Sequence, residues 1–95
     1  MTSTQKTNRK IMPTKIFRSS NISFVACLLC LGFKYSSTET SKDQKIMFCY
    51  SGYDYEKLVA EHSKFKQNEL FVNPLEYDLN RMAVIAKIRE IISNK

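Results

Sequence analysis

Three cysteines and one histidine are the side chains of this sequence best suited to metal or nucleophilic chemistry. Cys27-Leu-Leu-Cys30, with Cys49 and His62, supplies four donors, the number that a tetrahedral zinc site takes. Metal-binding cysteine pairs normally sit on turns that aim both thiolates at one point. This pair instead lies inside an apolar run with leucines between and beside it, where a free cysteine behaves as a small hydrophobe. We read all three as core thiols and expect no metal and no cofactor. A redox role would favour a thiolate at a helix N-terminus, whereas Cys27 falls in the second turn of the helix predicted below.

His62 would need a nucleophile and an orienting carboxylate to act as a general base. Glu61 and Glu69 point elsewhere on the helical wheel, and His62 falls on an apolar face with Leu58, Val59 and Phe65. Neither Gly32 nor Gly52 has a glycine neighbour, so no phosphate-cradling loop is present. Asn21-Ile22-Ser23 matches a glycosylation acceptor, which matters only in a secreted chain; a helix cap explains Asn21 better. The chain is read as non-enzymatic.

Charge is the more informative signal. The 95 residues hold 15 Lys and Arg against 9 Asp and Glu, a net charge of +6. Residues 1–38 contain Lys6, Arg9, Lys10, Lys15, Arg18 and Lys34 with no acidic residue, and residues 39–95 balance to zero. The whole excess therefore sits in the first two fifths. Residues 1–14 are polar and basic with almost nothing to bury, so they read as a flexible arm that orders on an acidic partner. Residues 15–95 read as a single small domain.

The elements that must position these groups follow from periodicity. Residues 15–19 alternate after Pro13 and predict an edge strand. Ser20 or Asn21 caps a helix through the apolar run 22–33, with Gly32 closing it and Phe33 packing back. Twelve apolar residues are too few to span a bilayer, and a cleavage site is lacking after them, so this run is read as a buried helix and no membrane is expected. Residues 33–39 and 44–50 flank a polar loop of about four residues and predict a hairpin.

From Asp54 the pattern turns helical, with Tyr55, Leu58, Val59, His62 and Phe65 inward and Glu56, Lys57, Glu61, Lys64 and Gln67 outward. Asn73-Pro74-Leu75-Glu76 combines a cap, a first-turn proline and a capping-box glutamate. A last helix follows with Leu75, Leu79, Met82, Ile85, Ala86, Ile88 and Ile92 as its core stripe. The order strand, helix, strand, strand, helix, helix predicts an α+β fold, a small three-stranded antiparallel sheet with packed helices.

The segments from Phe17-Arg-Ser-Ser-Asn through Leu-Gly-Phe-Lys34, the strand Ile46-Met-Phe-Cys-Tyr50, and Val72-Asn-Pro-Leu-Glu-Tyr77 resemble a family of short uncharacterised proteins from phages and other mobile elements over about residues 16–92. That resemblance implies an accessory role and carries over no catalytic residues.

Basic residues interleaved with aromatics can form a platform for single strands, and Phe33, Tyr35, Phe48 and Tyr50 lie near Lys34, Lys42 and Lys45. We favour the alternative that these rings serve the core. The expected function is binding of nucleic acid or a nucleoprotein through Lys6, Arg9, Lys10, Lys15, Arg18 and Lys34. The alternative is a protein-interaction module, either a virion component or an inhibitor of a host-defence complex such as CRISPR. Both place the protein in the host cytoplasm or the virion.

Overall fold

β1 (Phe17–Ser19) opens a three-stranded antiparallel sheet and is followed by α1 (Ile22–Cys30), β2 (Ser37–Thr40), β3 (Ile46–Tyr50), α2 (Tyr55–Lys66) and α3 (Pro74–Ser93). These positions come from a computed structural model, which describes residues 15–94. The arm 1–14, and with it Lys6, Arg9 and Lys10, lies outside the described residues. The element order and the α+β class are those that the sequence predicts.

The strands lie in the order β1-β3-β2. β3 is central because it is the one strand with a near-continuous apolar run, and it pairs on both sides. Phe17 faces Tyr50 and Ser19 faces Phe48 across β1 and β3; Thr38 faces Phe48 across β2 and β3. Phe17, Phe48 and Tyr50 therefore share the face that packs on the helices, while Arg18, Ser37, Glu39 and Cys49 share the other.

Each helix starts where its side-chain chemistry allows. The Asn21 side chain accepts from the Phe24 N–H at 3.1 Å, so Asn21 and not Ser20 is the cap. Asp54 accepts from Glu56 N–H, and Asn73 Oδ1 accepts from both Leu75 and Glu76 N–H at 3.0 Å. α1 ends at Cys30 and is closed just beyond its cap by Gly32, whose φ of +95° is unstrained only for glycine. That turn lets Phe33 N–H reach the Leu28 carbonyl at 2.8 Å and Gly32 N–H reach Leu29 at 3.1 Å, the paired closure of a helix on a left-handed residue.

α1 lies at the centre. Phe24, Val25 and Leu28 are fully buried with Phe48, Tyr50 and Leu58, and α3 packs along α1 with Val84 inward. The apolar run that follows the basic arm is thus core. Among the described residues no helix is long and apolar enough to cross a membrane.

Several boundaries and faces differ from expectation. β1 covers 17–19 rather than 15–19, and the hairpin strands shorten to 37–40 and 46–50. Phe33 is drawn back onto α1, so pairing begins only at Ser36, whose N–H and hydroxyl both donate to the Cys49 carbonyl. The loop is five residues, 41–45, turned by Gln44 at φ +67°.

On α2, Val59 is exposed and Glu61 half-buried, the reverse of the wheel reading. The largest departure is α3. Leu75, Leu79, Met82, Ala86 and Ile92 are exposed, and Tyr77, Asn80, Val84, Ile88 and Ile91 turn inward. A twenty-residue helix that packs chiefly on nine-residue α1 buries one row only, and this helix carries two apolar rows half a turn apart.

One buried group is unpaired. The Tyr50 hydroxyl has no hydrogen-bond partner among the described residues, and burial pushes its phenol well above its ordinary value. Tyr50→Phe removes an unsatisfied polar atom and keeps the ring, so it should raise stability by about 1 kcal/mol in a urea melt. The phenol stays neutral in the fold, so its contribution is present below pH 10, its ordinary value, and is lost as pH rises beyond that point. Tyr50→Phe should remove that alkaline loss. A fall in neutral-pH stability would show that the hydroxyl is bonded.

Candidate nucleic-acid interface

The segment that leads into α2, Tyr53-Asp54-Tyr55-Glu56-Lys57, is contacted by Lys15, Phe33 and the backbone of Lys34. Lys15 lies with its ammonium 5.2 Å from the Tyr55 ring centre, and Lys57 with its ammonium 5.8 Å from the Phe33 ring centre. The backbone N–H of Lys34 donates to the Tyr53 hydroxyl at 3.0 Å. Beneath these cations runs a row of rings: Tyr55 to Phe17 at 6.0 Å, Phe17 to Tyr50 at 6.2 Å, Tyr50 to Tyr53 at 6.5 Å and Tyr53 to Phe33 at 5.2 Å. Its middle is core and its ends reach the surface, with Tyr53 36% exposed and Phe33 and Tyr55 half-buried.

Local chemistry explains the arrangement. Ser51 and Gly52, at φ +85°, break β3 and turn the chain toward α2. The Asp54 cap then fixes the first turn, which sets Tyr55 against Phe17 and leaves Lys57 over Phe33. Cations over ring faces are held by the ring quadrupole. Lys15, Lys34 and Lys57 are all exposed, so their charge faces solvent. Asp54 and Glu56 share the segment, and the Asp54 carboxylate is engaged by the Glu56 N–H at 3.0 Å.

The six basic residues singled out from sequence thus divide. Lys15 and Lys34 are brought to one segment; Lys6, Arg9 and Lys10 lie outside the described residues. Arg18 points from the opposite face of the sheet and pairs with Glu39 at 3.1 Å, which holds its guanidinium pKa above the ordinary value. Its charge is answered within the fold, so it adds little to a phosphate site. Lys57 and Tyr53 were not among the candidates; the alternation Tyr53, Tyr55, Lys57 across a helix start is the signal that could have marked them.

The other candidates take structural places. Phe48 and Tyr50 are buried and Tyr35 stacks edge-on to Phe48 at 4.8 Å, so these three hairpin rings serve the core, while Phe33 is half-buried against Tyr53. His62 packs between Phe24 at 4.9 Å and Phe17 at 6.2 Å. Cys27 is buried in α1, and burial raises its thiol pKa. Cys30 accepts from the Asn80 side-chain amide at 3.3 Å. Cys49 lies on the far face of the sheet beside Arg18, its thiol also raised by burial. Among the described residues no three His, Cys, Asp or Glu side chains converge as metal ligands.

Fold and site together define a small α+β domain with exposed lysines over aromatic rings around the start of α2. Comparison with protein-family models, curated proteins and solved structures finds no match.

Proposed function

We propose that this protein is a non-enzymatic nucleic-acid-binding accessory protein, of phage or mobile-element type, in which the basic arm and the end of the domain that it joins form one phosphate-binding surface. The carrying observation is that two exposed ammonium groups lie over rings around the start of α2, Lys15 over Tyr55 and Lys57 over Phe33, with exposed Lys34 joined to the same segment through its backbone N–H to Tyr53. Exposed ammonium groups neutralise phosphates, and partly open rings beside them accept bases by stacking. The confinement of the net +6 to residues 1–38 supports the same reading, because the arm enters the domain at Lys15.

The test is a salt titration of binding to a labelled oligonucleotide. Each phosphate neutralised contributes about 0.9 to the slope of log affinity against log salt on duplex DNA and about 0.7 on a single strand. Replacing Lys15, Lys34 and Lys57 together by Gln should flatten the slope by about 2.7 on duplex or about 2.1 on a single strand. All three are exposed, so the melting temperature should hardly move. A salt-independent affinity in the intact protein would sink this reading and promote a protein partner.

A further inference from the structure

The outer face of α3 is apolar and uncovered. Leu75, Leu79 and Met82 are 69%, 59% and 59% exposed, and Phe71, three residues before the helix, is 85% exposed. Ala86 continues the row. The intervals 75, 79, 82 and 86 are four, three and four residues, the spacing of a coiled-coil seam. The inner row already meets the core through Val84 and Ile88, with Tyr77 half-buried, so the outer row is surplus to folding.

We infer that this face pairs with the same face of a second copy of the chain, with the two α3 helices antiparallel. The seam is its own complement. A two-fold axis crossing α3 between Asn80 and Arg81 sets Leu79 opposite Met82 of the partner subunit and Leu75 opposite Ala86 of the partner subunit. All four apolar residues are then covered at once, as an isologous interface requires.

Charge favours the same direction. Glu76 and Asp78 against Arg81 leave the first half of α3 acidic by one charge, and Lys87 and Arg89 against Glu90, which pairs with Lys87 at 3.6 Å, leave the second half basic by one. Antiparallel pairing brings the acidic half over the basic half and opposes the helix dipoles, whereas parallel pairing would set like charges together.

Area is sufficient. With about 200 Å² for a large side chain, the exposures of Phe71, Leu75, Leu79 and Met82 leave roughly 500 Å² open per copy. Over two copies the three large seam residues cover about 750 Å², and Phe71 packing at the ends of the seam brings the total to about 1,000 Å², the lower bound for a specific interface. The pairing rests on α3 alone and stands apart from the nucleic-acid reading.

Sedimentation velocity of the full chain across a concentration series tests the inference. The protein should pass from monomer to dimer. Leu79→Glu and Met82→Lys, each alone, should weaken dimerisation at least about 100-fold by burying an unpaired charge. Because both side chains are largely exposed, each variant should keep the helical circular dichroism and melting temperature of the dilute monomer.

Mixing the two variants should restore dimer, since the axis sets the new Glu against the new Lys across one layer and leaves Leu opposite Met in the other. A chain that stays monomeric at its highest soluble concentration would overturn the inference, as would a dimer that survives both substitutions. Two monomeric variants that fail to associate when mixed would overturn the antiparallel register.

Discussion

Phe24→Ala should lower the free energy of unfolding by about 3 to 5 kcal/mol, the cost of deleting a buried ring and leaving its cavity. Phe24 is fully buried, and its ring lies 4.9 Å from His62, 5.2 Å from Phe65 and 6.0 Å from Phe17. One side chain of α1 thus joins α2 and the sheet, so the cavity opens between elements and cannot be closed by a local rotamer change. Small domains are stable by only about 5 to 15 kcal/mol, and such a loss consumes a large part of it. Urea unfolding followed by circular dichroism measures it. Phe24→Leu should recover more than half, because it refills most of the volume. A loss near 1 kcal/mol would show that His62 or Phe65 moves in to close the space.

What the sequence made legible was local chemistry. Asn73, followed by proline and by glutamate three residues on, marks the start of α3 with its side chain bonded to two first-turn N–H groups. Gly32 marks the end of α1 for the same kind of reason. What stayed hidden was set by partners distant in the chain. α3 carries two apolar rows, Leu75-Leu79-Met82-Ala86 and Tyr77-Val84-Ile88, and periodicity cannot say which meets α1.

The same holds for charge. That Arg18 faces away from the core follows from strand alternation, but its pairing with Glu39 depends on two strand registers meeting across β3. Lys15 with Tyr55, Phe33 with Lys57 and Lys34 with Tyr53 are each far apart in sequence, and only the fold brings each pair together.

Leu58→Ala should cost about 2 to 5 kcal/mol, and the loss should be uneven across the molecule. Leu58 is the only fully buried side chain of α2; Tyr55, His62 and Phe65 are half-buried and Val59 is exposed. A helix that loses its one fully buried side chain keeps only the half-buried contacts of Tyr55, His62 and Phe65 and opens more readily as a unit. Hydrogen exchange should therefore show the α2 amides losing protection before those of α1, which stays packed between the sheet and α3. Equal loss in α1 and α2 would mean that α2 is held by its half-buried rings and unfolds only with the whole domain. The same variant separates the two halves of the proposed binding surface. α2 positions Tyr55 and Lys57, while the arm enters through Lys15. Loosening α2 should weaken oligonucleotide binding through the aromatic end of the domain but keep the part of the salt slope that belongs to the arm. A Leu58→Ala protein that binds with unchanged affinity while its α2 amides exchange freely would place the binding surface on the arm alone.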